Sequence, residues 1–168
     1  RFTRLFTDRG IPASYRNMEG NSVHALKLVN AKGEYVYVKF NWKPQQPELN
    51  LTVAEAAAIQ AKDFNHASRD LQSAISRGDF PKWDLMIQVL KPEELSKFDF
   101  DPLDATKIWP GVPAIKLGTM TLNRNPDNIF QETEQSAFAP SNLVPGIEPS
   151  EDRLLQGRVF SYADTQFY

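Results

Sequence analysis

The feature that most limits how this chain can fold is the stretch "SVHALKLVNAKGEYVYVKFNW", which occupies residues 22–42. Apolar and polar residues alternate on both sides of the turn "NAKGE", as they do in a β-hairpin. Gly33 can supply the positive φ that a tight hairpin turn needs. Because successive side chains of a strand point to opposite sides, residues of each predicted strand share a face. They are His24, Leu26 and Leu28 in the first strand, and Val36, Val38, Phe40 and Trp42 in the second.

Two helices and a strand are predicted after the hairpin. The segment "LTVAEAAAIQAKDF" begins with Thr52 and has Glu55 three residues later, the spacing of a capping box. A second helix is predicted from His66 to Arg77, with Gly78 ending it. The strand is "PKWDLMIQVLK", with these side chains on one face: Trp83, Leu85, Ile87 and Val89.

The rest of the chain predicts one more strand and two helices. The irregular segment "FDFDPLDATKIWPG" is followed by the strand "PAIKLGTMTLNRN" and then by a short helix, "DNIFQETEQSAF", opened by Asn125 and Pro126. The segment "APSNLVPGIEPS" is predicted to be a loop. Ser150 is the expected cap of the last helix, residues 150–168, with Glu151 and Asp152 in its first turn, where the helix dipole favours negative charge.

This order of elements contains no parallel crossover pattern and no internal repeat. It predicts an α+β fold, in which an antiparallel sheet or partial barrel carries inserted and following helices. A length of 168 residues suits one domain, so residues 1–168 are taken as part of a single domain.

Charge and composition exclude several classes of function. The net charge is −2, which gives no reason to expect nucleic acid or an anionic membrane as a partner. The chain has no cysteine, which excludes disulfides, thiolate nucleophiles and cysteine-ligated zinc. The absence of cysteine suits a reducing compartment, so a cytoplasmic location is expected, and the periplasm and the peroxisome remain open.

The segment "RVFSYADTQ" holds the strongest candidate for chemistry. On a helix, Arg158 and Tyr162 lie one turn apart, on a stripe formed by Leu154, Leu155, Arg158, Tyr162, Thr165 and Gln166. Free tyrosine has a pKa of about 10. A nearby guanidinium or a bound metal ion favours the phenolate, which is a hard ligand suited to ferric iron. Taken alone, this spacing favours an ordinary packing pair, and His24 is more simply explained as a core histidine.

Several segments together resemble the monofunctional haem catalases. "RVFSYADTQ" matches the signature around the haem ligand of that family at each of its fixed positions. "FTDRGIPASYRNMEG" resembles another family segment, and "HALKLVNAKGE" with "YVKFNWK" resembles the first long hairpin of the family barrel. "LNRNPDNIF", "EQSAFAPSN" and "VPGIEPSEDRLLQGR" are also similar. The resemblance covers essentially the whole chain, in order, and implies a haem-catalase barrel that is incomplete here.

The resemblance implies a role for each matching residue. Tyr162 is expected to be the axial ligand of the haem iron, since tyrosine is the ligand that catalases use. Arg158 would hold that tyrosine as phenolate, and His24 and Asp152 would extend the hydrogen-bond chain behind the arginine. These four are the expected catalytic set. The other expected haem contacts are Ala137, Phe138, Leu154, Thr165 and Gln166.

The activity implied is that of an oxidoreductase which decomposes hydrogen peroxide to water and dioxygen and so protects cells from peroxide. The expected cofactor is haem (heme), as iron protoporphyrin IX or a modified form. The resemblance also implies a homotetramer. The family's distal histidine and asparagine fall upstream of residue 1, so this chain is expected to be a fragment that carries only the proximal side of the site and to be inactive alone.

Two further points follow from the same resemblance. Some catalases bind NADPH, and Arg9, Lys43, Ile108 and Trp109 fall at matching positions, although Asn41 and Glu19 depart from the pattern of those enzymes. Two alternative functions remain open. One is a haem protein of this fold that acts on organic or lipid hydroperoxides, and the other is a non-catalytic remnant.

Overall fold

The structure is a computed structural model that describes residues 2–166. The helices are α1 (Phe2–Leu5), α2 (Val53–Lys62), α3 (His66–Ser76) and α4 (Arg153–Gln166). The strands are β1 (Gly20–Asn21), β2 (Leu26–Val29), β3 (Tyr35–Pro44), β4 (Lys82–Leu90), β5 (Ile115–Thr121) and β6 (Ile147–Pro149). Short helical turns lie at Asp8–Gly10, Tyr15–Asn17, Pro92–Lys97 and Phe130–Glu134. In the described part of the chain, no helix is long and apolar enough to cross a membrane.

The chain divides into two compact units. Among the described residues, unit 1 consists of 2–20, Trp42–Leu85 and Gly118–Asp127, and unit 2 consists of Asn21–Asn41, Met86–Leu117 and 128–166. That residues 1–168 belong to one domain therefore stays a prediction. Helices α2 and α3 lie within unit 1, and α4 lies within unit 2.

The strands form one sheet in the order β5-β4-β3-β2-β6, and β1 pairs with β3 off that path. Strand β2 is antiparallel to both β3 and β6. Over residues 2–166 the sheet is not closed, because its path ends at β5 on one side and at β6 on the other. The predicted α+β fold, an incomplete antiparallel barrel with two helices inserted between β3 and β4, is confirmed.

The predicted hairpin is present and consists of β2 and β3. Leu26 faces Val38, and Val29 faces Tyr35. The Asn30 side-chain oxygen accepts the N–H groups of Lys32 and Glu34, and Gly33 has a φ of +82°. The first strand was nevertheless predicted too long, since β2 begins only at Leu26. His24 precedes this strand and directly follows Val23, whose positive φ of +63° interrupts the extended backbone.

The main core of unit 2 includes Ala25 and Tyr37, which lie between the residues that the sequence pattern placed on a shared face of each hairpin strand. It consists of Ala25, Tyr37, Leu90, Leu103 and Trp109. In β3, Val38 is fully buried and its neighbours Tyr37 and Lys39 are also buried, so both faces of the strand are covered. Lys39 Nζ donates to the Lys107 carbonyl at 2.7 Å and lies 5.0 Å from the Trp109 ring centroid. Burial lowers the pKa of this ammonium, and the negative charges of Asp152 and Asp104 oppose the shift in part.

Unit 1 holds the two inserted helices by polar contacts. Thr52 and Glu55 form the predicted capping box of α2. The Arg16 guanidinium binds the α3 residue Asp70 with two N–H groups, at 2.8 and 2.9 Å, and the Ser14 hydroxyl donates to the same carboxylate. The Arg16 hydrogen bonds lower the pKa of Asp70 to about 2, although partial burial opposes the shift. This bidentate ion pair ties α3 to the segment around Tyr15–Asn17.

We expect the Arg16–Asp70 pair to contribute to stability in a pH-dependent way. The pKa of Asp70 falls from 3.8 to about 2 on folding, so its contribution is present above about pH 4 and is lost as the pH falls towards 2. Asp70→Asn should lower the free energy of unfolding at pH 7 by about 2 kcal/mol. Chemical denaturation of both proteins at several pH values tests this. A difference that stays the same between pH 7 and pH 2 would contradict it.

Two other predictions of secondary structure were wrong. The segment predicted as a loop before the last helix contains β6, which pairs with β2 through Ile147 opposite Leu28 and Pro149 opposite Leu26. As a three-residue strand that contains proline, β6 has little of the pattern by which strands are recognised, and it lies at the sheet edge, where proline is tolerated. The helix predicted from "DNIFQETEQSAF" is reduced to the single turn Phe130–Glu134.

Candidate functional site

The start of α4 is built around one carboxylate. Oδ1 of Asp152 accepts the backbone N–H groups of Leu154 at 2.9 Å and Leu155 at 3.2 Å. These are two of the N–H groups in the first turn of a helix that have no hydrogen-bond partner within the helix. The cap is therefore Asp152, and the prediction of Ser150 as cap was wrong, because α4 begins only at Arg153. The Ser150 hydroxyl instead donates to the Ala25 carbonyl at 2.5 Å and accepts the Asp152 N–H at 3.3 Å.

The other oxygen of the same carboxylate binds a histidine. Asp152 Oδ2 lies 2.6 Å from His24 Nδ1, and His24 Nε2 lies 2.8 Å from Arg158 Nη1. A guanidinium can only donate, so Nε2 must be the acceptor and the ring proton must sit on Nδ1, from where it is donated to Asp152. His24 is 5% exposed and Asp152 is 3% exposed, so water does not compete for these bonds. The geometry thus fixes His24 as a neutral ring in one tautomer.

The arginine carries the chain of contacts to the tyrosine. Arg158 Nη2 donates to the Tyr162 hydroxyl oxygen at 3.2 Å, and the guanidinium carbon lies 4.9 Å from the Tyr162 ring centroid. Among residues 2–166, Arg158 is the one group hydrogen-bonded to that oxygen. The result is a continuous line of hydrogen bonds, Asp152–His24–Arg158–Tyr162. Its first bond joins two residues, His24 and Asp152, that are 128 positions apart in the sequence.

The site is chemically suited to an anionic oxygen ligand. The guanidinium places positive charge beside the Tyr162 oxygen, and that oxygen keeps lone pairs for a further partner. A phenolate is a hard donor of the kind that ferric iron accepts. Large apolar side chains of unit 2 are left open to solvent, with Leu154 57% and Phe138 86% exposed, and a flat apolar group such as a porphyrin would cover such side chains. The residues present therefore fit a haem.

The other predicted haem contacts are less clearly organised. Ala137 is half-buried and its carbonyl accepts a hydrogen bond from Asn142, while Thr165 and Gln166 are exposed near the end of α4. Two neighbouring residues of the six-residue stripe predicted on this helix differ in burial, since Leu155 is buried and Leu154 is exposed. Residues 167 and 168 of the predicted helix lie outside the described residues. That these side chains contact a haem stays a prediction.

The residues predicted for NADPH lie in different surroundings. Arg9 and Lys43 are exposed residues of unit 1. In unit 2, Ile108 is 79% exposed, whereas Trp109 is 2% exposed and its indole N–H donates to the Pro102 carbonyl at 2.7 Å. The ring of Trp109 thus belongs to the core. The NADPH site stays a prediction.

Sequence reasoning did not identify the contacts that hold the residue before Asp152. Glu151 forms an ion pair with Lys27 and accepts the Tyr37 hydroxyl at 2.8 Å. Burial alone would raise the pKa of Glu151, but the hydrogen bonds from Lys27 and Tyr37 outweigh it and lower the pKa. Burial, with this carboxylate, raises the pKa of Tyr37. The hairpin register already places Lys27 opposite Tyr37, but nothing in the sequence pattern brings Glu151 to them.

Comparison with known proteins identifies the family. The family model described as Catalase matches residues 1–168. A catalase of Pseudomonas aeruginosa is 69% identical over 166 residues, which are 99% of this chain and 32% of that protein. A catalase of Vibrio vulnificus is 62% identical and is matched over 33% of its length. The chain therefore spans about a third of the length of these curated relatives.

Solved structures agree with this result. A fungal catalase crystal structure superposes with a TM-score of 0.92 at 43% identity, over 98% of this chain and 33% of that one. Catalase A from Saccharomyces cerevisiae also gives a TM-score of 0.92, at 42% identity, over 98% of this chain and 34% of that one. The match over the whole length, in both sequence and structure, leaves one conclusion: this chain belongs to the catalase family.

Proposed function

We propose that the protein is a haem-dependent catalase that decomposes hydrogen peroxide, and that this chain supplies the proximal side of its haem site. The observation that carries the proposal is the unbroken line Asp152–His24–Arg158–Tyr162, which ends on a tyrosine oxygen that can bind iron. Membership of the catalase family and identities of 62–69% to named catalases support the same conclusion.

In this proposal Tyr162 provides the ligand oxygen. Haem iron, when bound, supplies the redox chemistry by which one peroxide is reduced to water and a second is oxidised to dioxygen. The protein's part on this side is to keep the Tyr162 oxygen anionic and correctly oriented. Arg158, one helical turn before Tyr162, does so by donating a hydrogen bond to that oxygen at 3.2 Å.

The residues behind Arg158 determine how firmly it is held. His24 accepts from one nitrogen of the guanidinium, so the planar group cannot rotate away from Tyr162 without breaking a buried bond. Asp152 keeps the ring proton of His24 on Nδ1 and thereby keeps Nε2 free to accept.

The substrate and the assembly proposed for the whole protein follow from the family: hydrogen peroxide is the substrate and the natural assembly is a homotetramer. The proposed location is the cytoplasm, on the ground of the cysteine-free sequence, with the periplasm and the peroxisome as alternatives. NADPH is not part of the proposal, because Trp109, one of the residues predicted to bind it, is buried in the core and donates its indole N–H to the Pro102 carbonyl.

Absorption spectroscopy and oxygen evolution test this function on the natural protein. We expect a Soret band, one haem per subunit, the signature of tyrosinate-ligated ferric iron, and dioxygen release on addition of hydrogen peroxide. Tyrosinate-ligated haem combined with turnover of organic hydroperoxides alone would point instead to the alternative function, a haem protein of this fold that acts on organic or lipid hydroperoxides. Absence of haem from the folded protein would contradict the proposal.

A further inference from the structure

A backbone distortion lies directly before His24. Val23 has a φ of +63°, and it is the one non-glycine residue with a positive φ in the part of the chain that the structure describes. A β-branched residue is sterically unfavourable in this region, and such outliers persist only where the surroundings enforce them. The His24 N–H donates to the Ser22 carbonyl at 2.6 Å, only two residues back, so Ser22, Val23 and His24 form a three-residue turn of the rare, strained hand.

Burial of the Val23 side chain does not compensate for the energetic cost of this backbone conformation. It is 49% exposed, so little apolar burial is gained by forcing the residue into the unfavourable conformation. The compensation must therefore come from the residues on either side of it. These are Ser22, which is half-buried, and His24, which is 5% exposed.

Ser22 holds the turn closed. Its hydroxyl donates to the His24 carbonyl at 3.1 Å and accepts the Phe40 N–H at 3.0 Å, and its own N–H donates to the Phe40 carbonyl at 2.8 Å. One side chain thus ties the His24 backbone to strand β3. The same hydroxyl makes both contacts, so removing it frees the carbonyl of His24 and leaves the Phe40 N–H without this acceptor.

The position of His24 is demanding because both ring nitrogens are engaged. The contacts to Asp152 at 2.6 Å and to Arg158 at 2.8 Å lie on opposite sides of the ring, so a shift of the backbone lengthens at least one of them. In the regular strand predicted from the sequence, His24 would share a face with Leu26 and Leu28. The turn interrupts that alternation, and β2 begins only after it.

We propose that Ser22 is a positioning residue for the haem ligand: it closes the strained turn that aims His24 at Asp152 and Arg158, and it acts on Tyr162 only through them. The inference rests on the proposed function. It assigns to Ser22 a role that neither the spacing of the ligand motif nor the contacts of Tyr162 themselves would indicate.

The test uses the natural haem-loaded protein and the tyrosinate bands of its resonance Raman spectrum. Ser22→Ala should shift these bands in the same direction as Arg158→Leu and by a smaller amount, and Ser22→Thr, which keeps the hydroxyl, should restore most of the parental spectrum. Ser96→Ala is the matched control, because the Ser96 hydroxyl also donates to a backbone carbonyl of unit 2, at 3.2 Å, but on an exposed turn. Its spectrum should equal that of the parent.

A double-mutant comparison separates positioning from a general loss of stability. In an Arg158→Leu background, Ser22→Ala should produce no further shift, since its effect passes through Arg158. Additive shifts, or parental bands in Ser22→Ala, would overturn the inference while leaving the proposed function intact. If Ser22→Ala does not fold, Ser22→Cys, which keeps the volume but hydrogen-bonds only weakly, carries the same expectations. A parent protein without tyrosinate bands would remove the proposed function and this inference together.

Discussion

Tyr162→Phe is expected to abolish nearly all peroxide turnover in the natural protein. Phenylalanine keeps the ring that packs 4.9 Å from the Arg158 guanidinium, but it removes the oxygen that we propose as the iron ligand. Loss of an outer partner of a metal site typically costs 10- to 100-fold, so loss of the ligand itself should reduce turnover by more than about 100-fold. Haem stoichiometry should fall as well, because the iron has lost its protein bond.

The measurement combines haem content, oxygen evolution and thermal unfolding. Tyr15→Phe is a suitable control, since Tyr15 is 48% exposed in unit 1 and loses the same atom. It should match the parent in all three measurements. Full haem loading of Tyr162→Phe with parental oxygen evolution would show that another group ligates the iron.

How much of the fold could be predicted depended on how regular each element is. The hairpin of β2 and β3 was predicted because four or more alternating residues on each side of a glycine turn leave few alternatives. Strand β6 was missed because three residues, one of them proline, carry no period. It pairs with β2 through backbone hydrogen bonds, which leave little trace in the side-chain pattern.

The site was predictable only in part, and for a related reason. Arg158 and Tyr162 are four residues apart on one helix, so their contact follows from helical geometry. The contact between His24 and Asp152 joins residues 128 positions apart, and no local spacing encodes it. These two were proposed from resemblance to a family, whereas physical reasoning had treated His24 as an ordinary core residue. The two descriptions are compatible, since His24 is buried and is also fully hydrogen-bonded.

The cap of α4 shows how one residue can serve both the fold and the site. Ser150 is the cap expected from the sequence, with Glu151 and Asp152 in the first turn, but capping propensity does not separate serine from aspartate. The structure uses Asp152, because Ser150 is held by the Ala25 carbonyl and Glu151 by Lys27 and Tyr37. With Oδ1 on the helix and Oδ2 on His24, Asp152 fixes the direction of the helix relative to the histidine.

Arg158→Leu should separate an electrostatic role for this residue from a packing role. Leucine keeps much of the bulk but removes the charge and both donated hydrogen bonds. The proposed ligand oxygen would lose the positive charge and the hydrogen bond beside it, and peroxide turnover should fall by about 10- to 100-fold, as is typical when an outer partner of a metal site is lost. His24 Nε2 would also be left buried without a donor, at a cost of about 1 to 3 kcal/mol in the free energy of unfolding. Bound iron should still hold the tyrosine deprotonated, so most haem should be retained.

Two further variants decide how the result is interpreted. Arg158→Lys should recover only part of the lost turnover, because an ammonium cannot reproduce the planar fork that reaches His24 at 2.8 Å and Tyr162 at 3.2 Å together. Arg153→Leu makes the same substitution at an exposed position at the start of the same helix, and it should leave turnover and the tyrosinate bands unchanged. Stopped-flow measurement of peroxide consumption, normalised to haem content, compares the four proteins. If Arg158→Leu binds haem fully and consumes peroxide at the parental rate, Arg158 is a packing residue, and the line from Asp152 to Tyr162 has no electrostatic effect on the ligand.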